Sequence, residues 1–558
     1  MNLADIDLGL PPQTSVLAPD FTDAPACQEW LANLPLTNVA QALAQLLRQI
    51  NLLNRYPLSP DARLQILELL RGPIDCVQEQ GIRHFSGRPL PLSESGQAAF
   101  DTSQTLWQEQ ETGYLHCLQS SFSGGTGFSE SAHLQTAMAA TRALSSMLAM
   151  YLDHCRASIL PSPMYWRQLH LIYHAAEELR ISRLPVKDGL RQPRNSGEAA
   201  AVSAATVYTE ILLVAAAYPM ELQTRQLALV ANWAQRWSGK VEILQQPPEN
   251  QRTPALCVDL AGTQAAAFQF QLTEYSTLRW LELSGLRSSI KKRLVLLQQG
   301  QSPASLNLGK DCIQPACGAL LKLVYRYWCK GGRKQDGGSG RAILRAGGDY
   351  QLVAGMDAIH YYLCGQVFRK ADQPNSMSRR EHEEIATFGR IATRFDEEKK
   401  AQHDFMLEKW RVLDESAAEL HLERSLKHPG GRLCSSQLVA VRKEDCKGFL
   451  LGILRCVAMS SGQDSLLSCV HILPGTPVAV ALRNTGANQA GMQFSQGIFL
   501  PAIESLGEVA SVLTPAGWFS PGKIIGVEAD EMDTSGKIRL DRLIERGKDF
   551  DRIAFSWS

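Results

Sequence analysis

The sequence lacks an excess of charge, a long apolar run and a catalytic signature, and each absence excludes a class of protein. Its 558 residues include 56 basic and 56 acidic side chains, so the formal net charge is zero. Proteins with a broad nucleic-acid-binding surface carry a strong basic excess, so we expect neither DNA nor RNA as a partner. Apolar stretches such as 211–217 are far shorter than a membrane span, so no membrane insertion is expected.

The start of the chain and its cysteines indicate a cytoplasmic protein. The first twenty residues contain acids and prolines, where a signal peptide would have a basic region followed by an apolar one. The 13 cysteines are scattered, and the nearest pair, Cys312 and Cys317, does not have a standard zinc spacing. Without a secretion signal, such cysteines are most simply reduced thiols. We therefore expect a cytoplasmic location, no bound metal and no cofactor.

A helical segment contains the pattern that comes nearest to a metal site. His170 and His174 are four residues apart, and Glu177 follows on the same helical face. A metal could use all three, but no glutamate follows His170 directly, so the metalloprotease pattern is absent. Two histidines packed at a helix interface are the favoured interpretation. The chain also lacks a Gly-x-Ser-x-Gly elbow and any other recognisable catalytic arrangement, so we do not expect an enzyme.

Periodicity divides the chain into regions of different character, and its length predicts three or four domains. Helical patterns separated by short connectors indicate a bundle or solenoid, and a mixed α/β region follows them. A polar stretch with a proline, 371–376, is typical of a linker. The predicted regions are a loosely ordered tail, a helical interaction domain, a mixed α/β domain and an antiparallel β-barrel domain, at 1–24, 25–225, 226–375 and 376–558.

The barrel is predicted from short β-rich runs that alternate with polar or glycine-containing turns. The clearest runs are 421–424, 437–442, 449–457 and 466–473. Such regular spacing is typical of the antiparallel meander of a small barrel. The fold class is therefore multidomain α+β, and we expect residues 376–558 to fold by themselves as a β-rich domain.

Polar side chains near the start of the barrel suit a nucleotide ligand. Arg390 and Arg394 are four residues apart, and Asp414 and Ser416 follow about twenty residues later. Guanidinium groups donate two parallel hydrogen bonds to phosphates and guanine edges. A short Asp-x-Ser turn adds a carboxylate and a hydroxyl. The order resembles the PilZ signature, Arg-x-x-x-Arg followed by Asp/Asn-x-Ser-x-x-Gly, although Glu419 replaces the final glycine.

The resemblance implies a function. The chain resembles large proteobacterial PilZ proteins with a helical N-terminal region, which implies a bacterial receptor for cyclic di-GMP. In that interpretation Arg390 and Arg394 clamp the ligand, and Asp414 and Ser416 orient it. A protein partner would bind the helical region, through the aromatic residues Trp30, Trp107, Tyr165, Trp166 and Tyr173.

Three alternatives remain. The barrel could be a degenerate PilZ-type interaction scaffold that does not bind nucleotide, because the final glycine of the motif is missing. The mixed domain could be an enzyme that the barrel regulates. Arg390 and Arg394 could also be a solvated helix face, because residues four apart lie on the same side of a helix.

Overall fold

A computed structural model of the chain describes residues 6–14, 17–122, 129–191, 200–248, 255–269, 276–331, 348–368, 383, 385–386, 405–484, 494–528 and 536–558. It divides into two compact units. The first comprises Met1–Arg88 and Leu92–Gly338, and the second comprises Pro89–Pro91 and Ser339–Ser558. The fold class is multidomain α+β, as predicted.

The first unit is mainly helical. Several of its helices begin where a serine side chain accepts a hydrogen bond from the first turn; Ser59 and Ser162 do so and are each followed by a proline. A short hairpin, β1 (Val186–Asp188) with β2 (Ala200–Val202), follows the sixth helix. The helices are α1 (Ala24–Ala32), α2 (Val39–Arg55), α3 (Pro60–Gly81), α4 (Glu94–Gln119), α5 (Glu130–Ala157), α6 (Pro163–Glu178), α7 (Ala204–Ala216), α8 (Thr224–Trp237), α9 (Ser284–Gln298) and α10 (Ala316–Cys329).

A small sheet in the first unit shares its core with these helices. The strands β3 (Glu242–Leu244), β4 (Ala255–Asp259), β5 (Ala267–Gln269) and β6 (Leu278–Glu282) form an antiparallel sheet in the order β3-β6-β4-β5. Leu256 and Leu281 of this sheet belong to the same buried cluster as residues from Ile6 to Cys329. The mixed α/β region predicted to start at 226 therefore shares part of its core with the helices, while Cys257, Leu278 and Trp280 form a smaller cluster of their own.

Two cysteines around the start of α10 differ from the expectation that all thiols are reduced. Cys312 and Cys317 are joined by a disulfide with an S–S distance of 2.04 Å. No other disulfide joins cysteines of the described residues. No helix in the part of the chain that the structure describes is long and apolar enough to cross a membrane.

The second unit begins its sheet structure with a closed barrel. Its strands are β7 (Asp349–Ala354), β8 (Glu408–Glu415), β9 (Glu419–Ser425), β10 (Leu438–Lys443), β11 (Leu450–Met459) and β12 (Ser465–Ile472), in the order β10-β11-β12-β9-β8-β7. A helix, α11 (Met356–Cys364), follows β7. Leu352 of β7 pairs with Glu408 on one side and with Val441 on the other. Residues 349–354 were predicted to belong to the mixed domain, whereas in the structure they form β7, which closes the barrel.

A second closed barrel follows, although only one barrel was predicted from the sequence. Its strands are β13 (Val478–Asn484), β14 (Phe494–Leu500), β15 (Ser511–Pro515), β16 (Ile524–Glu528), β17 (Gly536–Arg546) and β18 (Phe550–Trp557), in the order β13-β14-β15-β18-β17-β16. If the strands of each barrel are numbered 1 to 6 in chain order, both barrels have the same pairing. Strands 1, 2 and 3 pair in sequence, and so do strands 4, 5 and 6. Strand 3 also pairs with strand 6, and strand 1 pairs with strand 4, which closes the barrel. The second unit thus contains one connectivity twice.

Two further contacts organise the second unit. A buried cluster joins Ile359 of α11 to residues of both barrels, among them Leu451 and Leu513. The early segment Pro89–Pro91 also belongs to this unit. Its Leu90 exchanges two backbone hydrogen bonds with Leu433, both 2.7 Å long.

Candidate functional site

The hairpin between β8 and β9 contains two of the four predicted ligand-binding residues, Asp414 and Ser416. The backbone N–H of Ser416 donates to the carbonyl oxygen of Glu419 at 2.8 Å. In return, the N–H of Glu419 donates to the hydroxyl oxygen of Ser416 at 3.1 Å. Serine side chains commonly close turns in this way. Ser416 therefore shapes the hairpin through its own backbone and hydroxyl contacts.

Asp414 lies on the outer surface of the barrel. The register of β8 against β9 shifts between Val412 and Asp414, and such a bulge re-aims the side chains that follow it. One carboxylate oxygen of Asp414 lies 3.5 Å from Nδ1 of His421, its partner across the hairpin. The bulge thus gives Asp414 a histidine neighbour on this face.

The adjacent Glu415 takes part in a separate contact. Its Oε1 accepts a hydrogen bond from the hydroxyl of Tyr350 at 3.0 Å and lies 3.2 Å from Nζ of Lys443. Burial, together with this carboxylate, raises the pKa of Tyr350. Tyr350 therefore remains a neutral hydrogen-bond donor that ties β7 to the end of β8.

Three described cations on the outer surface of the first barrel are paired with carboxylates. These pairs are Lys409 with Asp349, Arg411 with Glu423, and Arg455 with Glu545. A ligand with two phosphates needs further positive charge. Arg390 and Arg394, which the sequence predicts to supply it, lie outside the described residues. The structure therefore describes two of the four predicted residues.

A buried ion pair inside the first barrel was missed by the sequence analysis. Oε2 of Glu408 accepts hydrogen bonds from Nη1 of Arg424 and, at 3.1 Å, from Nε1 of Trp410. The other carboxylate oxygen accepts from the N–H of Gly431 at 2.6 Å. A Cβ atom on Gly430 would lie 1.6 Å from Arg424 Nη1, so only glycine fits there. The sign of this pair in the sequence is that Glu408 and Arg424 fall at inward-facing positions of β8 and β9, along which the side chains alternate between the two faces of the sheet.

The first unit contains a second charge cluster that sequence reasoning missed. Asp188 lies 2.9 Å from Arg71, 3.0 Å from Arg142 and 3.7 Å from Arg191. Burial favours the neutral acid, but the guanidinium groups of Arg142 and Arg71 outweigh it and lower the pKa of Asp188. These four residues line a pocket of about 150 Å³. They come from three separated segments, so no local spacing in the sequence predicts them.

His170 packs in the core of the first unit, as the favoured interpretation predicted. His170 is fully buried in α6. Its Nδ1 is 2.8 Å from the hydroxyl of Tyr208, and its Nε2 is 2.8 Å from the carbonyl oxygen of Gln264. Glu177 instead pairs with Arg279 at 2.8 Å. Both ring nitrogens of His170 are therefore used within the core.

The aromatic residues predicted to form an exposed partner surface do not do so. Trp107, Tyr165, Trp166 and Tyr173 are buried, and Trp30 is half-buried. Tyr165 donates its hydroxyl hydrogen to the carbonyl oxygen of Met147 at 2.9 Å. The prediction of an exposed aromatic patch was wrong because these rings fill the spaces between helices.

These observations define a class of protein: a helical N-terminal unit with a small sheet, followed by two barrels of identical connectivity. Comparison with known families adds a relationship at both ends of the chain. Residues 25–249 match the family model described as "Cyclic-di-GMP receptor FimW, N-terminal domain". Residues 480–558, which cover most of the second barrel, match "FimW C-terminal beta-barrel domain". Both ends of the chain are thus similar to the FimW family.

A curated relative supports the same relationship. The Cyclic-di-GMP receptor FimW of Pseudomonas aeruginosa is 25% identical over 343 residues, which make up 60% of this chain and 53% of the relative. The chain therefore spans about half the length of this relative. No solved structure matches the chain. The matched names describe a receptor and indicate no enzymatic family.

Proposed function

We propose that this chain is a receptor for cyclic di-GMP that transmits the level of this second messenger to a protein partner. The observation that carries the proposal is the similarity of both ends, 25–249 and 480–558, to domains of one receptor family. The name of the relative gives its ligand as cyclic di-GMP. Cytoplasmic action and a partner bound through the helical unit are parts of this proposal.

The ligand site that we propose is PilZ-type and lies at the β8–β9 hairpin of the first barrel. Lys409, Arg411 and Arg455 of that barrel surface are paired with carboxylates, and in this proposal Arg390 and Arg394 supply the positive charge that a ligand with two negative phosphates needs. Asp414 accepts hydrogen bonds from a guanine edge in this proposal. Ser416 acts by fixing the turn that holds Asp414, because its hydroxyl already contacts Glu419.

Calorimetric titration of the full chain with cyclic di-GMP tests the proposal. We expect saturable binding, and we expect Arg390→Ala and Arg394→Ala each to weaken it by about 1.5 to 3 kcal/mol, the contribution of a charged hydrogen bond. This corresponds to roughly tenfold to more than a hundredfold in affinity. Arg379→Ala and Arg380→Ala are matched controls, because these arginines lie outside the motif and should matter little.

The outcomes separate the candidate functions. Flat heats at tens of micromolar nucleotide would contradict the receptor proposal and favour the interaction scaffold. Glu419 at the glycine position of the motif is the observation that supports that second candidate. Saturable binding that neither arginine variant changes would contradict the hairpin site while leaving the receptor proposal in place.

A further inference from the structure

The outward-facing side of the first barrel brings three different metal-binding donors together, where Glu419 and His421 are partly exposed and Cys469 is buried. Glu419 and His421 are two residues apart in β9, so their side chains emerge on the same surface of the sheet. Cys469 of β12 lies directly opposite His421 in the strand register. A carboxylate oxygen, an imidazole nitrogen and a thiol sulfur from these residues all lie within 4.8 Å of one another.

We propose that Glu419, His421 and Cys469 form a zinc site. Thiolate, imidazole and carboxylate are the donors that zinc uses in proteins, whereas magnesium and calcium prefer oxygen donors alone. Zinc bonds of about 2.0 to 2.3 Å place the donors of a tetrahedral site roughly 3.3 to 3.8 Å apart. Small side-chain rotations bring the three donors to that separation, because paired strands already fix their backbones.

Asp414 supports the site as a positioning residue. Its carboxylate lies 3.5 Å from Nδ1 of His421. Histidines that bind a metal through one ring nitrogen usually donate the other N–H to a carboxylate, which fixes the orientation of the ring. The remaining coordination position is left to water, because this surface of the barrel is partly open: the side chains of His421 and Asp414 are 28% and 24% exposed.

Metal binding has two physical consequences here. The Cys469 thiol loses its proton when the zinc–sulfur bond forms, so each ion bound releases a proton and affinity falls in acid. The ion also links β9 to β12, so it stabilises the folded barrel over the unfolded chain. The proposal does not depend on nucleotide binding, and its test uses metal readouts only.

Metal content of the full chain provides the first test. The protein is loaded with Zn²⁺, dialysed against zinc-free buffer and analysed by mass spectrometry for zinc. We expect one zinc ion per chain to be retained at this site, and we expect Cys469→Ser and His421→Gln each to lose it. Cys446→Ser is the matched control, because Cys446 is an exposed thiol between β10 and β11 and should not affect retention. Magnesium and calcium should not compete.

Cobalt provides an independent readout. In the Co²⁺-loaded protein we expect a thiolate-to-cobalt charge-transfer band that persists in Cys446→Ser and disappears in Cys469→Ser. Equal zinc content and equal cobalt spectra in the unaltered protein and Cys469→Ser would overturn the proposal. If Cys469→Ser does not fold by circular dichroism, Glu419→Gln decides: we expect at least tenfold weaker zinc binding, and unchanged affinity overturns the site. Asp414→Asn should weaken binding by roughly 10- to 100-fold, as expected for a carboxylate behind a metal-bound histidine.

Discussion

The two barrels share their strand connectivity but differ in what they bury. In the first barrel, Arg424 and Glu408 are both buried, with side chains 1% and 7% exposed. In the second barrel every ion pair of the described residues has at least one partner in contact with solvent: Arg546 is 56% exposed beside Asp551, Glu508 is 36% exposed beside Arg552, and both Arg539 and Asp541 are exposed. The interior cluster of the second barrel, which includes Leu482 and Ile553, is apolar.

The difference shows that connectivity and chemistry are separate properties of a barrel. Strand pairing is made by backbone groups and is compatible with many side chains, so one topology can be built from two unlike sequences. A fully buried ion pair gains little net stability, because removing both charges from water offsets their attraction. The first barrel thus buries both members of one ion pair, whereas the second buries one member of a pair, Asp551 or Arg552, and leaves the other in contact with solvent.

The largest effect is expected from Arg424→Ala in the first barrel. This change leaves the carboxylate of Glu408 buried without its cation, which costs about 3 to 5 kcal/mol. Hydrogen exchange of the full chain, followed by mass spectrometry, should show lost protection in peptides of β8 to β12. In the second barrel, Arg552→Ala should cost clearly less, because its partner Glu508 is partly solvated.

A double replacement sharpens this expectation. Glu408→Leu combined with Arg424→Met removes both charges. The double variant should therefore regain most of the hydrogen-exchange protection that Arg424→Ala loses. Equal losses from Arg424→Ala and Arg552→Ala would mean that the barrels do not differ in the way the burial of these pairs indicates.

A smaller loss is expected from crowding the second barrel. A Cβ atom on Gly497 would lie 2.5 Å from Cδ1 of Leu482, well inside contact distance. Gly497→Ala should therefore destabilise this barrel by about 1 to 3 kcal/mol, the usual cost of overpacking. Adding Leu482→Val should restore part of the lost protection. A Gly497→Ala variant with native exchange rates would contradict the tight packing of this interior.

Acid should affect the first barrel more than the second. Burial, with Arg455, lowers the pKa of His471, although Glu545 and Glu419 act in the opposite direction. The folded state therefore favours the neutral imidazole, and this stability is present above the unfolded pKa of about 6.5. It is lost as the pH falls through the lower folded value. The second barrel, 478–558, contains no histidine.

Exchange measured at several pH values in metal-free buffer would test this difference. Protection of β11 and β12 should fall below about pH 6.5 relative to that of the second barrel, and His471→Gln should reduce the fall. A parallel decline in both barrels, unchanged in His471→Gln, would exclude this histidine as the cause.

The smallest effect is expected from Glu419→Gly, measured as cyclic di-GMP affinity by calorimetry. Removing a carboxylate beside a ligand with two phosphates relieves repulsion of about 1 kcal/mol or less in a solvated site, so binding should tighten by no more than roughly fivefold. Glu419 has the extended backbone of β9, so the glycine relieves no strain. Glu419→Gln should therefore tighten binding equally. A gain with glycine alone would point to the backbone instead of the charge.

Local patterns predicted much of this fold, and long-range pairing accounts for the rest. Alternating side chains located β9 to β12. The second barrel was missed because its strands repeat the same spacing, and nothing local marks where one barrel closes. β7 was assigned to the mixed α/β domain instead of the barrel, because the strands with which it pairs, β8 and β10, lie far along the chain.

Part of the local geometry at the candidate site was predicted, and the ligand-binding roles of Asp414 and Ser416 remain predictions. The Asp-x-Ser pattern located the hairpin of Asp414 and Ser416, because turn chemistry is local. The pairing of Arg424 with Glu408 was missed because charges at alternate positions look the same whether they face water or a barrel interior. The roles predicted for Arg390 and Arg394 remain predictions.

The position of β7 has a consequence for the order in which the chain is synthesised. β7 leaves the ribosome before every other strand of its barrel, but its two partners, β8 and β10, emerge much later. Until β12 is complete and pairs with β9, the nascent sheet has open edges, which are templates for pairing with other chains. A fragment that starts at residue 376 would keep two such edges permanently, because it lacks β7. We therefore expect a fragment that starts before residue 349 to remain monomeric where the shorter one aggregates.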